Sequence, residues 1–376
     1  MSGYARRMPD DRPDDPPTGA ADERHRGPRR GDHNDHAAGD PPAADAADIP
    51  EGILRLAEAR RSARIARDWE QADRLKEQVE AGGWKVVDDG MRFRLTCANP
   101  PDLVEERRTR YGASQNVPSR LDDAPVGIAS VVLIATDWPD DLERALASMA
   151  AEVAADIEVN VVANEPSREQ ETLLLAWEAR ETAERDAAGS ARAHSGLPDT
   201  IVWTSRRLGH AAALNVGLRT VRSPIAIVLD PGMEAVGDFV TPLARALEDP
   251  SVAVAGGAGW TSRDLRHFEE ATSGDVSAVA GTAMAFRRTD FAARGPLDEQ
   301  FRIDRNLDLW WSLVLRDEGD ARSPRRAIAM ELPLVAHPRH EWSPDPTASS
   351  DRLGRRGFYR VIDRFGGRRD LAVGPA

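Results

Sequence analysis

The sequence predicts an α/β fold built around a parallel sheet, and the spacing of its apolar residues carries that prediction. Short runs rich in Val, Ile, Leu and Ala recur between residues 126 and 370. Such runs are typical of strands that are buried on both faces of a sheet. Longer amphipathic segments separate them, and strands that alternate with helices pair in parallel through right-handed crossovers. We therefore expect one Rossmann-like domain over this region.

A tail and a small module precede this domain. Residues 1–49 are rich in Asp, Pro, Gly, Arg and Ala, and a segment with so few large apolar side chains is expected to be disordered. One helix is predicted from residue 51 until the Gly82–Gly83 pair ends it, and its apolar face holds Ile65, Trp69, Ala72, Leu75 and Val79. Residues 84–87 and 91–96 predict a hairpin, which completes a module over residues 50–98.

The segment that follows, residues 99–125, is predicted to be a linker. It combines several prolines with many charges, which is typical of connecting segments, and a short helix is expected near residues 103–110. In the larger domain, the sequence predicts strands at 129–135, 157–163, 200–204 and 225–229. Helices are predicted at 140–154, 168–192 and 211–220.

The composition limits the classes of function. The 376 residues carry a net charge of −13, which disfavours non-specific binding of the whole chain to nucleic acid. A single cysteine, Cys97, excludes an intrachain disulfide and a zinc site built from several cysteines. We find neither a signal peptide nor an apolar run of the ~20 residues that a membrane span needs. The sequence therefore predicts a soluble, cytoplasmic protein.

Polar residues follow the predicted strands, where open α/β sheets bind their ligands. Thr136 and Asp137 follow the first strand, Asn164 follows the second, and Asp230 opens an Asp-Pro-Gly sequence after the fourth. An acid at this place suits a ribose hydroxyl or a divalent cation. Asp-Pro-Gly is also strong turn chemistry, so both interpretations of Asp230 stand.

The order of these segments resembles that of family 2 glycosyltransferases. The segments that carry the resemblance are Ala-Ser-Val-Val-Leu-Ile (129–134), Ile-Glu-Val-Asn-Val-Val-Ala-Asn (157–164), Arg-Leu-Gly-His-Ala-Ala-Ala-Leu-Asn-Val-Gly-Leu (207–218), Ile-Val-Leu-Asp-Pro-Gly (227–232), Gly-Thr-Ala-Met-Ala-Phe-Arg-Arg (281–288), Gly-Pro-Leu-Asp-Glu-Gln-Phe (295–301), Asn-Leu-Asp-Leu-Trp-Trp (306–311) and then His337. The resemblance implies a GT-A fold over residues 126–370 that binds a nucleoside-diphosphate sugar and transfers the sugar with inversion, as a hexosyltransferase does.

The resemblance also implies a donor site. Thr136 and Asn164 match positions near the base and the ribose, although the family usually has Asp at the second position. Gly209 and Asn215 match the loop-to-helix segment under the donor, where small residues allow close approach of the backbone. Arg206 and Arg207 could neutralise the donor phosphates, or both could be solvated surface side chains.

The metal motif departs from the family pattern. Asp230 matches the first acid of the Asp-x-Asp motif that binds Mn²⁺ or Mg²⁺, but Gly232 replaces the second acid, and glycine offers no carboxylate oxygen. Glu234 lies two residues further on. His337 matches a position that contacts the metal or the diphosphate, and a lone histidine can equally be structural.

The base motif departs as well. Asn306 stands where the family commonly has the catalytic acid, and an amide is no useful base. Asp308 remains, as a candidate base or as a residue that caps its helix. Trp310 and Trp311 could form an acceptor wall or belong to the core. Two lost acids also fit a protein that binds sugar donors without turnover, so an inactive scaffold is the alternative.

The small module has a resemblance of its own. Residues 59–75 and 83–89, which read Ala-Arg-Arg-Ser-Ala-Arg-Ile-Ala-Arg-Asp-Trp-Glu-Gln-Ala-Asp-Arg-Leu and Gly-Trp-Lys-Val-Val-Asp-Asp, resemble the C-terminal anticodon-binding part of cysteinyl-tRNA synthetases. The catalytic signatures of those synthetases are absent from the sequence. Because basic and acidic side chains nearly balance here, the module could bind tRNA as an adaptor or dock a protein.

Overall fold

A computed structural model describes residues 49–81, 84–89, 92–97, 101–153, 156–188, 198–319, 322–337 and 348–374. The predicted disordered tail, apart from residue 49, and the predicted Gly82–Gly83 helix stop lie outside the described residues. No helix within the described ranges is long and apolar enough to cross a membrane.

Helices and strands alternate along the described chain. The helices are α1 (Glu51–Ile65), α2 (Trp69–Ala81), α3 (Pro139–Glu152), α4 (Arg168–Ala188), α5 (His210–Leu218), α6 (Val240–Ala246), α7 (Arg288–Arg294), α8 (Leu307–Arg316) and α9 (Ala348–Phe365). The strands are β1 (Trp84–Asp89), β2 (Arg92–Cys97), β3 (Leu103–Val104), β4 (Thr109–Tyr111), β5 (Ala129–Ala135), β6 (Ile157–Ala163), β7 (Thr200–Thr204), β8 (Ile225–Leu229), β9 (Met233–Ala235), β10 (Val252–Gly256), β11 (Gly259–Thr261), β12 (Glu269–Ala271), β13 (Gly274–Val276), β14 (Ala278–Val279), β15 (Ala283–Arg287), β16 (Arg326–Ala329) and β17 (Leu334–Ala336).

A ten-stranded mixed sheet forms the centre of the larger domain, in the order β13-β16-β10-β15-β8-β5-β6-β7-β4-β3. The four predicted strands are β5, β6, β7 and β8, and they pair in parallel with one another. β15 joins β8 in antiparallel orientation. The predicted α/β class and the parallel core of the sheet are therefore confirmed.

Both faces of the sheet are covered, as continuous apolar strands require. In β5, Val132 belongs to a core on one face, together with residues of α5 and α8. Its neighbours Val131 and Leu133 belong to a second core on the other face, together with residues of α3 and α6. The carboxyl edge between these two layers stays available for polar side chains.

The predicted short helix over residues 103–110 is wrong, because that segment forms β3 and β4 and extends the edge of the sheet. Arg110 pairs with Trp203 in the register of β4 and β7. The guanidiniums of Arg108 and Arg110 stack on the Trp203 ring at 4.9 and 4.7 Å from its centroid, and such cation–π contacts favour this placement. Part of the predicted linker therefore belongs to the large sheet.

The single helix predicted from residue 51 is also wrong, because the chain breaks it between α1 and α2. Arg67 adopts a left-handed φ of 59°, and the Asp68 carboxylate accepts a hydrogen bond from the Gln71 N–H at 3.0 Å, as an N-cap does. Consequently Ile65 and Trp69 are 58% and 59% exposed instead of sharing a buried face with the later apolar residues.

The predicted helix-plus-hairpin module does form from these elements. α1 and α2 pack together, and β1 pairs with β2 in antiparallel orientation. The small core of this module contains Ala57, Val79, Trp84, Val86 and Leu95.

Candidate functional site

The polar residues singled out from the sequence gather at the carboxyl edge of the parallel strands. Thr136 follows β5, Asn164 follows β6, Arg207 follows β7 and Asp230 follows β8. The Ser167 N–H donates to the Thr136 carbonyl at 2.6 Å and the Asn164 N–H donates to the Ala135 carbonyl at 3.0 Å. The first two strand ends are thus tied together.

The Asn164 side chain clamps the loop that follows β7. It is 4% exposed; its Nδ2 donates to the Leu208 carbonyl at 3.1 Å and its Oδ1 accepts from the Leu208 N–H at 2.8 Å. The Thr204 hydroxyl oxygen lies 3.3 Å from the same Oδ1, and its nearest acceptor is the Arg206 carbonyl at 2.8 Å. A carboxylate has no donor for the Leu208 carbonyl, which explains why an amide stands here.

Arg207 spans the ends of β5 and β6. Its guanidinium forms two hydrogen bonds with the Asp137 carboxylate, at 3.0 and 2.8 Å, and reaches the Glu165 carbonyl at 3.2 Å. The Arg207 N–H donates to the Glu165 carboxylate at 2.7 Å. The side chain is therefore committed to protein acceptors, in the fork geometry typical of arginine–carboxylate pairs.

The backbone of Arg302 lies against the start of α5. The carbonyls of Arg302 and Phe301 accept hydrogen bonds from the N–H groups of His210 and Ala211, at 3.0 and 3.1 Å. A Cβ on Gly209 would lie 3.0 Å from the Arg302 Cα, so glycine permits this close approach. Burial, and then the nearby Arg302 charge, lower the pKa of the Arg206 guanidinium, whereas Glu165 raises it.

Asn215, on α5, holds the loop that contains Leu297 and Glu299. Its fully buried amide donates to the Leu297 carbonyl at 2.9 Å and to the Glu299 carboxylate at 3.1 Å, and it accepts from the Leu297 N–H at 2.9 Å. These contacts hold the loop before Arg302 on α5. The position predicted under the donor thus has a positioning role.

Asp230 combines the two interpretations that its sequence context allows. Its Oδ1 accepts from the Gly232 N–H at 2.9 Å, which closes the turn. Its own N–H donates to the Thr282 carbonyl at 2.9 Å, which places the carboxylate beside the segment before β15. Asp230 therefore closes a turn and also stands at the sheet edge.

His337 comes to the same turn through the pairing of β17 with β9. Its N–H donates to the Gly232 carbonyl at 3.0 Å, and its Nε2 hydrogen-bonds to the Glu234 carboxylate. Within the described ranges, no group of three or more His, Cys, Asp or Glu side chains is arranged to hold a metal ion. Asp230, Glu234 and His337 therefore do not fit the Mn²⁺ or Mg²⁺ ion that the resemblance implies.

Asn306 and Asp308 lie at the start of α8 but face different surroundings. Asn306 has a φ of 68°, is 5% exposed, and donates from Nδ2 to the Gly354 carbonyl at 2.9 Å. Asp308 accepts from the Leu309 N–H at 2.9 Å and from the Trp260 indole at 3.3 Å. Asn306 is thus bound to α9, whereas Asp308 accepts an N–H of the first turn of α8 and the indole N–H of Trp260.

The Gly281–Thr282 segment brings Asp308 and Asp230 into one neighbourhood. A Cβ on Gly281 would lie 3.5 Å from the Asp308 Cβ, and the next residue, Thr282, bonds to the Asp230 backbone. Asp308 therefore lies beside the exposed Gly281, and the backbone of Asp230 lies beside the next residue, although the two acids are distant in sequence.

The tryptophans predicted as a possible acceptor wall belong to the core. Trp310 packs against Phe301 and Phe365, with ring centroids 5.4 and 5.6 Å away. Trp311 packs against Phe286, with centroids 5.7 Å apart. Both indoles are buried, so neither presents a face to a sugar.

Sequence reasoning missed Arg302 and Trp260. Arg302 lies far from α5 along the chain, and its carbonyl accepts the His210 N–H only because the fold brings its loop to that helix. Trp260, on β11, reaches Asp308 through its indole. No spacing or motif in the sequence signals either contact.

Comparison with known proteins gives partial likenesses. No protein-family model matches the chain. Cysteine–tRNA ligase 1 of Burkholderia lata is 46% identical over 62 residues, which are 15% of this chain and 13% of that protein. The chain thus spans only about an eighth of the length of this curated relative.

Two solved glycosyltransferase structures are similar in fold. One is GalNAc-T7 with UDP, GalNAc and Mn²⁺, with 16% identity and a TM-score of 0.48 over 63% of this chain and 48% of that chain. The other is the mannosyltransferase PcManGT from Pyrobaculum calidifontis with GDP-Man and Mn²⁺, with 18% identity and a TM-score of 0.42 over 68% and 71%. These likenesses concern the fold alone.

Proposed function

We propose that this chain binds a nucleoside-diphosphate sugar at the carboxyl edge of its parallel strands and transfers the sugar to the hydroxyl of an acceptor. The observation that carries the proposal is the placement of Asp230 and Asp308 on either side of the Gly281–Thr282 segment. Under this proposal, the sugar would react between the acid at the end of a central strand and the second acid beside Gly281.

The nucleoside end of the donor would bind across β5 and β6. Thr136 lies at the end of β5, and the Asp137–Arg207 pair stands beside it. Because Asn164 is buried and bonded to the Leu208 peptide, it would shape this surface by holding the loop and leave the ribose to its neighbours. A fixed loop reduces the entropy that ligand binding must offset.

Asp308 is the candidate base for the transfer. One of its oxygens accepts from the Leu309 N–H and the other from the Trp260 indole, so the carboxylate is held in one orientation. It would take the acceptor's proton as the acceptor oxygen attacks the anomeric carbon and the bond to the diphosphate breaks. A single displacement of this kind inverts the anomeric centre, and a positioned base typically contributes about 10²–10⁴-fold to the rate.

The test is turnover by the full chain and by Asp308→Asn. We expect the wild type to release nucleoside diphosphate from one member of a panel of UDP-, GDP- and dTDP-sugars. We expect Asp308→Asn to lower kcat by about 10²-fold or more while donor binding stays within about threefold. Asp363→Asn, at an exposed position of α9, is the matched control. Equal turnover by wild type and Asp308→Asn would contradict the role given to this carboxylate.

Donor binding without turnover is the second candidate. It is favoured by Gly232 and Asn306, which replace acids at two positions where the chemistry wants them. Calorimetric titration that detects a donor, together with no release of product over long incubation, would support it. Turnover abolished by Asp308→Asn would exclude it.

An RNA-binding role for residues 51–97 is a third candidate, favoured by the match to part of a tRNA ligase. The exposed Trp69 could stack on a base. A gel shift of total tRNA by the full chain that Trp69→Ala abolishes would support this role, and the absence of a shift at low salt would exclude it.

A further inference from the structure

The helix α9 concentrates positive charge on an acidic chain. Residues 351–370 contain seven arginines and three aspartates, whereas the whole chain has a net charge of −13. A local surface of this sign attracts anions that the rest of the protein repels. Such a helix can bind an anion only through arginines that the fold itself does not use.

The buried face of α9 fixes the orientation of the helix. Val361 and Phe365 are fully buried and belong to the core that also contains residues of α5 and α8. Near the start of α9, the Gly354 carbonyl accepts the Asn306 amide at 2.9 Å. Because both ends of this face are held, the residues on the opposite face point to solvent.

Two arginines of α9 are used by the fold itself. Arg360 forms an ion pair with Asp298 through its Nε, which lies 3.0 Å from the carboxylate oxygen. The Arg364 guanidinium stacks on the Trp310 ring, 4.9 Å from its centroid. These two contacts fasten the sides of the helix to the domain.

Three other arginines of α9 face away from the domain. Arg352, Arg355 and Arg356 are exposed, and their spacing of three and four residues places them on one side of the helix. Within the described part of the chain, no hydrogen bond, ion pair or ring contact holds any of the three guanidiniums. The neighbouring acid, Asp351, is paired with Arg305 at 3.2 Å.

An exposed tyrosine extends the same side of the helix. Tyr359 is 63% exposed and follows Arg355 and Arg356 by four and three residues. The distance along the axis from Arg352 to Tyr359 is about 10 Å, or two turns. An exposed aromatic ring with a polar tip is typical of residues at a membrane–water interface. We call these four residues the arginine face.

A planar anionic surface fits the arginine face better than a nucleic acid does. A nucleic acid makes contact along its length and would run from this face onto its neighbours, which are acidic. Asp363 is exposed one turn beyond the face, and Glu269 and Glu270 are exposed on β12. The residue before β12, Phe268, packs edge-on against Phe358 of α9. A lipid surface needs contact with only one side of one helix.

We propose that the arginine face of α9 docks this protein on a membrane surface that contains anionic lipids. The guanidiniums would bind lipid phosphates, and the Tyr359 ring would lie at the level of the headgroups. Each arginine close to such a surface strengthens binding by about fivefold, so that three strengthen it by about 100-fold. This inference goes beyond the proposed function and does not depend on it.

The experiment is sedimentation of the full chain with vesicles of phosphatidylcholine alone or of phosphatidylcholine and phosphatidylglycerol in equal parts. Wild type is compared with the triple variant Arg352→Gln, Arg355→Gln, Arg356→Gln. The matched control removes three exposed arginines from other elements, through Arg107→Gln, Arg180→Gln and Arg245→Gln. It changes the net charge by the same amount, so it separates the arginine face from a general effect of charge.

We expect wild type and control to bind the anionic vesicles, and the triple variant to bind them about 100-fold more weakly. Raising NaCl from about 0.1 M to about 0.5 M should weaken the wild-type binding, because salt screens exposed charges. The midpoint of urea unfolding should be the same for wild type and triple variant, because exposed side chains without partners contribute little to stability.

Three results would overturn the inference. They are no binding of wild type to the anionic vesicles, equal binding to both kinds of vesicle, and a triple variant that binds like the control. A labelled single-stranded RNA, titrated in parallel, tests the other class of anion. RNA binding that the triple variant loses, without binding to vesicles, would assign the arginine face to nucleic acid and also overturn the proposal. Titration with nucleotide sugars reports on the proposed function separately.

Discussion

Replacing Asn164 by Asp tests whether the amide clamp organises the candidate site. The exchange keeps the size of the side chain and the oxygen that accepts the Leu208 N–H. It removes the donor that satisfies the Leu208 carbonyl at 3.1 Å. A carboxylate oxygen then faces a carbonyl oxygen at a side chain that is 4% exposed.

The expected cost follows from these contacts. A buried carbonyl left without its donor costs about 1–3 kcal/mol, and a buried carboxylate beside it adds about 1–2 kcal/mol. We expect Asn164→Asp to lower the free energy of unfolding by about 3 kcal/mol at pH 7. Burial raises the pKa of the introduced carboxyl above its unfolded value of about 3.9. The cost is therefore full above the folded pKa and shrinks as the pH falls through it, where the protonated carboxyl can donate to Leu208.

The assay is urea denaturation of the full chain, followed by tryptophan fluorescence at pH 7 and pH 5. Asp363→Asn, an exchange of the same two side chains at an exposed position of α9, should change stability by less than about 0.5 kcal/mol. An Asn164→Asp variant as stable as the wild type at pH 7 would refute the clamp. Asp would then be compatible with this position, and the amide would need another explanation.

Two further predictions concern packing and charge. Gly217→Ala should destabilise the chain by about 1–3 kcal/mol because its Cβ would lie 2.4 Å from the Val132 Cγ1. The control Gly52→Ala has nothing within 4 Å of the new Cβ and should stabilise α1 by up to about 1 kcal/mol. Equal midpoints of urea unfolding for the two variants would contradict this prediction. Hydrogen bonding to Arg60 lowers the pKa of Asp88, so that pair stabilises the small module above the unfolded pKa of about 3.9 and loses its effect as the pH falls through the folded pKa. Arg60→Gln should therefore lower stability at pH 7 by about 1 kcal/mol and much less at pH 2.5, and an equal loss at both pH values would refute the assignment.

The sequence predicted the parts of the fold that local pattern controls. The strands β5, β6, β7 and β8 have the predicted bounds because each is a continuous apolar run covered on both faces. β3 and β4 escaped prediction because they are short and depend on Trp203, which stacks on arginines from the edge. The break at Arg67 escaped because one left-handed residue can end a helix without disturbing the apolar period on either side.

For the candidate site, too, the positions of the residues were predictable and their contacts were not. Thr136, Asn164, Arg207 and Asp230 were predictable because each directly follows a strand, and parallel strands end at one edge. The contacts that give these residues their roles were not predictable, because they cross the fold. The loop that contains Phe301 and Arg302 accepts the first N–H groups of α5, a contact that no sequence period encodes.

Asn306 and Gly232 stand where the family has acids, and each has a different role in this structure. Asn306 adopts a left-handed φ of 68°, which asparagine tolerates better than most residues, and it donates to the Gly354 carbonyl. An aspartate could not make that bond, so the amide there serves the packing of α9. Gly232 donates its N–H to the Asp230 carboxylate and accepts the His337 N–H at its carbonyl, so its place in the turn depends on backbone groups alone. Under the proposed function, the change at Gly232 removes a ligand for a cation, whereas the change at Asn306 leaves the transfer chemistry with Asp308.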